Sequence, residues 1–158
     1  MQLAKKNIGV ESAFKKIKYY CAYQERSHNE VVQKLYGYGL YKLEVAEMVS
    51  KLIEENYLNE ERFAIAFAGG KCRINHWGLH KITYELKQKN VSPYCIKKAL
   101  ASIDKDEYNT IAQKLITHKL IQLQSEKSIQ AKKSKIQNYM IGKGYDYTQV
   151  SQWLQDIF

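Results

Sequence analysis

The residues best suited by type to chemistry are Cys72, His76 and His80, which are spaced by four. On one continuous helix they would share a face and could act as metal ligands. Trp77 and Gly78 fall between the two histidines and are expected to break the helix there, and no fourth ligand lies nearby in the sequence. We therefore expect no metal site and no cofactor.

Other patterns of catalytic chemistry are also missing from the sequence. It contains no glycine-rich loop of the kind that cradles phosphates and no nucleophile-elbow pattern. Acidic pairs such as Glu54–Glu55 and Glu60–Glu61 fit helix ends, where they serve the helix dipole or a solvated surface. We therefore do not expect an enzyme.

Basic residues gather around one aromatic residue in the middle of the chain. Trp77 is expected in a loop among Lys71, Arg73, Lys81, Lys87, Lys89, Lys97 and Lys98, with Glu85 as the only acid between them. Basic side chains beside an aromatic ring can bind phosphates and stack bases, or they can meet an acidic protein face. Each lysine alone also fits a solvated helix flank, and Trp77 alone fits a core anchor. A smaller basic run follows at Lys132, Lys133 and Lys135.

The overall charge agrees with a polyanionic partner. The 158 residues carry a net charge of +9, and residues 59–105 hold nine basic and four acidic residues. A balance of this size favours nucleic acid or acidic protein surfaces. The start of the chain, "MQLAKKNIGVESAFKK", has no apolar core of signal-peptide length, and the three cysteines suggest no disulfide framework. We expect a cytoplasmic protein.

The elements that position these residues come from one sequence pattern that occurs three times along the chain, at a spacing of about fifty residues. Apolar positions recur in register, and a Gly or Asn follows at a fixed place in each copy: Val31, Ile82 and Ile136; Leu35, Leu86 and Met140; Gly39, Asn90 and Gly144; Val45, Ile96 and Val150. The spacings of three and four residues are helical. We predict an all-α fold of three tandem three-helix, helix-turn-helix-like repeats at residues 11–58, 59–105 and 106–158. An N-terminal extension, 1–10, precedes them, and the tandem units form an elongated, curved body.

Helix starts and corners are marked locally. In "NYLNEERFA", Asn59 is a predicted N-cap, and Leu58 and Phe63 have the spacing of a hydrophobic staple. Three capping boxes are predicted at Ser27 with Glu30, Asp104 with Glu107, and Asp146 with Gln149, whereas Tyr41 is a poor cap. The leading helices are predicted over Ser12–Glu25, Glu60–Arg73 and Asp106–Gln124. Gly39, Asn90 and Gly144 are expected in the left-handed conformation, and Cys21 and Cys72, at equivalent positions, are expected to be buried.

Three motifs resemble the RecX family of bacterial regulators of the RecA recombinase. "NYLNEERFA" is similar to the "GYLDDERFA"-type junction of that family. The first copy matches "R-S-x-x-E-[LV]-x-x-K-L", and the second copy matches "G-x-x-[KR]-I-x-x-E-L-x-x-[KR]-G-[IV]". Asn56 and Asn90 replace glycines of these motifs, a change that a left-handed position tolerates. The resemblance spans roughly residues 14–158, and the third copy matches by apolar pattern alone.

The resemblance implies a non-enzymatic negative modulator of RecA in DNA repair. Such proteins bind RecA, lodge in the groove of the RecA–DNA filament, and limit ATP hydrolysis, strand exchange and coprotease activity. The expected RecA- or DNA-binding residues are Arg26, Lys34, Arg62, Lys71, Arg73, Trp77, Lys81, Lys87 and Lys89. We expect a monomer that also makes non-specific DNA contacts. Two alternatives stay open: a helix-turn-helix regulator of duplex DNA, and a protein scaffold that binds no nucleic acid.

Overall fold

The computed structural model describes residues 6–158, so residues 1–5 of the predicted N-terminal extension lie outside it. Within that range the chain forms nine α-helices and no strand, which confirms the all-α prediction. The helices are α1 (Val10–Tyr23), α2 (His28–Gly37), α3 (Lys42–Glu54), α4 (Glu60–Arg73), α5 (Leu79–Gln88), α6 (Pro93–Ala101), α7 (Lys105–Gln122), α8 (Ile129–Gly142) and α9 (Tyr147–Ile157). None of these helices is long and apolar enough to cross a membrane.

The helices pack in threes around three separate cores. Unit 1 comprises α1–α3, unit 2 comprises α4–α6 and unit 3 comprises α7–α9, and the extensive helix packing lies within units. Ile17, Ile82 and Ile136 lie fully buried in the three successive cores. The accessible surface of 10360 Å² exceeds the roughly 8,200 Å² expected for a compact 18.5 kDa monomer, as an extended array of small units requires. The domain boundaries given above stay a prediction.

The helix starts follow the sequence signals closely. Asn59 Oδ1 accepts a hydrogen bond from the Arg62 N–H at 2.8 Å, which confirms the predicted cap. Ser27 and Glu30 form both halves of the predicted capping box, and the Tyr41 side chain makes no capping hydrogen bond, as expected. Asp104 and Asp146 each accept from the backbone N–H three residues on, so the helix caps predicted there form, but only this half of each predicted capping box is present.

The predicted staple at the first corner is split between two cores. Leu58 packs in the core of unit 1, whereas Phe63 packs in the core of unit 2. The two side chains therefore anchor the two ends of the corner in different units, and they do not pack together as a staple. Asn56, which precedes the corner, has a left-handed φ of 64°.

Left-handed corners join the last two helices of each unit. Gly39, Asn90 and Gly144 have φ values of 84°, 60° and 102°, as predicted. The two glycines also let another part of the chain pass close to the corner. A Cβ added at Gly39 would lie 2.6 Å from the Lys6 carbonyl carbon, and one added at Gly144 would lie 2.4 Å from Lys81 Cβ. The corner at Asn90 is exposed. Glycine therefore occupies the crowded corners and asparagine the open one.

Backbone hydrogen bonds fix unit 3 on unit 2. The Gly78 N–H donates to the Lys143 carbonyl at 2.8 Å, and the His80 N–H donates to the Gly144 carbonyl at 2.9 Å. Tyr108 accepts from the Leu79 N–H at 3.1 Å, and its ring packs against both cores. Side-chain ion pairs, described below, link units 1 and 2.

Candidate functional site

Trp77 is the centre of a cluster of cations and aromatic rings in unit 2. The indole lies half-buried in the loop between α4 and α5, and the backbone N–H of Trp77 donates to the Lys71 carbonyl at 3.0 Å. The ammonium groups of Lys71 and Lys81 lie 5.0 and 4.6 Å from the indole centroid. The Phe67 ring packs edge-on at 6.4 Å. These four residues, together with Lys89, are called the Trp77 cluster below.

The neighbouring units add charge on both sides of the Trp77 cluster. Lys89 Nζ lies 5.7 Å from the Phe67 centroid and forms an ion pair of 3.2 Å with Glu30 of unit 1. Lys143 of unit 3 donates to the Asn75 carbonyl at 2.7 Å. Burial, and then the positive charge of Lys81, lower the pKa of Lys143. Positive charge is therefore concentrated where unit 3 meets the Trp77 cluster.

Unit 1 carries a second basic and aromatic site. The Arg26 guanidinium stacks 3.7 Å from the centroid of Tyr20, and its Nε donates to the Tyr20 carbonyl at 3.0 Å. Lys34 Nζ lies 5.2 Å from the same ring, and Lys16 Nζ lies 5.9 Å from the ring of Tyr38. An open groove of about 800 Å³ runs beside them, called the unit-1 groove below. It is lined by Ser12, Lys15, Lys16, Tyr19, Tyr20, Tyr23, Arg26, Lys34 and Tyr38.

The unit-1 groove and the Trp77 cluster belong to one continuous surface. Tyr20 and Lys34 also line the adjoining depression, which contains Glu30. Glu30 in turn lines the depression between units 1 and 2, together with Phe67 and Lys71. A surface rich in cations and rings, with Glu25 and Glu30 between its two basic parts, therefore runs from α1 of unit 1 to the loop before α5.

Six of the nine residues expected to bind RecA or DNA lie on this surface, and three lie elsewhere. Arg62 forms an ion pair with Glu25 and donates to both the side chain and the carbonyl of Asn56, so it links units 1 and 2. Arg73 faces a different groove, shared with α7. Lys87 is exposed six residues past Lys81, on a different face of α5. The binding roles of all nine residues stay predictions.

Several members of the surface were not among the residues expected to bind a partner. They are Lys15, Lys16, Tyr20, Glu30, Phe67 and Lys143. One available signal was the repeat itself, because Tyr38, Lys89 and Lys143 each precede the corner residue of their copy. The position before a left-handed corner therefore marks this surface in all three units.

The suspected metal ligands are not brought together. Helix α4 ends at Arg73, and His76 has a left-handed φ of 58°, so Cys72, His76 and His80 do not share a helix face. Across residues 6–158 no group of three or more His, Cys, Asp or Glu side chains is arranged to hold a metal ion. Cys21 and Cys72 are buried, as predicted, and burial raises the pKa of both thiols.

Comparison with known proteins agrees with the resemblance carried by the motifs. Residues 59–100 match the family model described as RecX, second three-helix domain. A regulatory protein RecX of Clostridium perfringens is 32% identical over 123 residues, which cover 77% of this chain and 57% of that protein. One of Bacillus cytotoxicus is 26% identical over 96% of this chain and 56% of its own length. The chain spans about half the length of these curated relatives.

The fold is also that of solved RecX structures. A crystal structure of RecX from Lactobacillus salivarius superposes with a TM-score of 0.80 at 21% identity, over 93% of this chain and 95% of that one. A crystal structure of a regulatory protein RecX superposes with a TM-score of 0.82 at 20% identity, over 93% and 71%. The suspected resemblance to the RecX family is confirmed.

Proposed function

We propose that this chain, which carries the RecX second three-helix domain and resembles RecX proteins over nearly its whole length, is a negative modulator of the RecA recombinase. It binds RecA, lodges in the groove of the RecA–DNA filament, and limits ATP hydrolysis, strand exchange and coprotease activity. It acts by binding and catalyses no reaction of its own. It works as a monomer in the cytoplasm and makes non-specific DNA contacts.

The observation that carries this proposal is the continuous surface formed by the unit-1 groove and the Trp77 cluster. Seven of the side chains that units 1 and 2 contribute to it are cationic, namely Lys15, Lys16, Arg26, Lys34, Lys71, Lys81 and Lys89. A surface of this length and sign suits a long polyanionic partner such as a filament built on DNA. Its aromatic rings provide apolar contact area beside the charges, which a protein partner also uses.

The junctions between units support the same proposal. The backbone hydrogen bonds at Gly78 and His80 hold unit 3 on unit 2, and the Arg62–Glu25 and Lys89–Glu30 ion pairs hold unit 2 on unit 1. Fixed relative positions let cations on different units meet one partner together. A body with such a surface can contact neighbouring subunits of a filament.

The proposal is tested by titrating the protein into RecA that hydrolyses ATP on single-stranded DNA. We expect hydrolysis to fall progressively at substoichiometric amounts of the protein, because one molecule in a filament groove affects several RecA subunits. Unchanged hydrolysis, at concentrations where the protein binds DNA, would contradict the proposal.

The rival function, a helix-turn-helix regulator of duplex DNA, is less well supported. Base readout prefers Arg, Asn and Gln on the recognition helix. The last helices of units 1 and 2, α3 and α6, contain none of them, and only α9 of unit 3 contains glutamines. A specific footprint on one defined duplex would favour this rival. Equal affinity for unrelated duplexes would argue against it.

A further inference from the structure

The cations and rings of units 1 and 2 occupy equivalent positions with their identities exchanged. The two units are related by a shift of fifty-one residues, which matches Gly39 with Asn90. The same shift pairs Lys16 with Phe67, Tyr20 with Lys71, Arg26 with Trp77, and Tyr38 with Lys89. A cation in one unit therefore corresponds to an aromatic ring in the other at all four positions.

The contacts are retained although the identities are exchanged. In unit 1 the Arg26 guanidinium lies 3.7 Å from the Tyr20 ring centroid. The equivalent contact in unit 2 is between the Lys71 ammonium and the Trp77 centroid, at 5.0 Å. The remaining pair behaves in the same way, since Lys16 lies 5.9 Å from the Tyr38 centroid and Lys89 lies 5.7 Å from the Phe67 centroid. The surface therefore contains the same binding element twice, and a repeating site is suited to a repeating ligand.

The unit-1 groove adds free aromatic faces to this element. Tyr19 and Tyr23 are 75% and 74% exposed, and they are four residues apart on α1, about 6 Å along the helix axis. What distinguishes these two rings from other exposed tyrosines is that both line a groove together with several cations. Lys15, Lys16 and Lys34, together with Arg26, give the groove four cations, and its lining contains no acid.

We propose that the unit-1 groove binds single-stranded nucleic acid, with bases stacked on Tyr19 and Tyr23 and phosphates held by Lys15, Lys16 and Lys34. The strand continues onto the Trp77 cluster, which is the second copy of the element. A single strand fits better than a duplex because only unpaired bases offer their flat faces to a side chain. It fits better than an acidic protein because a single strand supplies a flat ring and a negative charge at every nucleotide, in the regular repeat that the repeated element requires. This inference specifies the DNA contact of the proposed function and rests on it.

The test measures binding of a labelled oligothymidine of about 20 nucleotides by fluorescence anisotropy, in the absence of RecA. We expect Tyr19→Ala with Tyr23→Ala to weaken binding about 30-fold or more, since each stacked base contributes roughly 5- to 150-fold. Tyr19→Phe with Tyr23→Phe retains the rings and should stay within about twofold of the wild-type affinity. Tyr147→Ala is the matched control, because it removes a helical tyrosine that is 63% exposed in unit 3.

Salt dependence tests the phosphate contacts separately. Each phosphate contact on a single strand contributes about 0.7 to the slope of log affinity against log salt. Lys15→Gln with Lys16→Gln should therefore reduce that slope by about 1.4. Circular dichroism of each variant shows that the helices remain.

Three outcomes would overturn the inference. The first is unchanged affinity in the folded double alanine variant. The second is equal binding of a duplex of the same length, and the third is an equal loss in the control at Tyr147. An oligouridine measured in parallel shows whether the groove prefers DNA or RNA. Loss of RecA inhibition is measured independently, so the inference and the proposed RecA contact can fail separately.

Discussion

Swapping the positions of one ring and one cation in unit 1, so that they follow the order found in unit 2, should leave the fold largely intact. The exchange is Tyr20→Lys with Arg26→Trp, which reproduces Lys71 and Trp77. The guanidinium stacked 3.7 Å from the half-buried Tyr20 ring contributes about 1 to 2 kcal/mol. Either single change removes that contact. Arg26→Trp also removes the hydrogen bond to the Tyr20 carbonyl, which is worth about 1 kcal/mol.

The double variant regains a cation over a ring, so its destabilisation should be smaller than the sum of the two single effects. We expect a favourable coupling of about 1 to 2 kcal/mol in a double-mutant cycle. The assay is urea unfolding of the four proteins, followed by circular dichroism at one salt concentration. A coupling near zero, or an unfavourable one, would refute the claim that the two sites are structurally equivalent.

Three further predictions concern the unit junctions. Gly78→Ala should lower the free energy of unfolding in urea by about 2 to 4 kcal/mol, because the new Cβ would lie 2.3 Å from the backbone of unit 3. Gly70→Ala has open space around the new Cβ and should stabilise α4 by about 0.5 to 1 kcal/mol. Equal effects of the two substitutions would contradict this. Arg62→Met, which breaks the ion pair with Glu25, should cost about 1 kcal/mol, and the difference from wild type should shrink in 1 M salt. Burial raises the pKa of Tyr108 from about 10, the value of an ordinary tyrosine, to about 12. The stability that the neutral phenol contributes is therefore fully present below pH 10 and is lost as the pH rises towards 12. Tyr108→Phe should reduce this alkaline loss in unfolding measured from pH 9 to 11.5, and an identical loss would contradict the assignment.

The helices were predictable because their signals are local. Asn59 caps α4 and Ser27 caps α2 through hydrogen bonds that reach only three residues along the chain. The left-handed corners depend on a single residue, and Gly39 and Gly144 were identified by type alone. Leu58 and Phe63 were misassigned as partners, because sequence spacing does not show which core a side chain enters.

The binding surface was only partly predictable, because it depends on how units are placed. Lys71 and Lys81 lie on different helices, and they meet on one indole only because the loop after Arg73 turns back through His76. Arg62 has the same charge as these residues, yet it is used in an ion pair between units. Charge and spacing therefore indicated the surface, but the packing of three units determines its members.

The most direct test of the account is RecA ATP hydrolysis on single-stranded DNA in the presence of a variant of the Trp77 cluster. Lys71→Gln with Lys81→Gln removes the two charges on the indole, and Lys97→Gln with Lys105→Gln removes two exposed charges elsewhere in the chain. We predict that the first variant inhibits hydrolysis about tenfold less effectively than wild type, because each lysine loses a charge contact with the filament worth about 0.5 to 1 kcal/mol, while the second inhibits normally. Full inhibition by the folded first variant, or equal loss in both, would contradict the central claim that this surface carries the function.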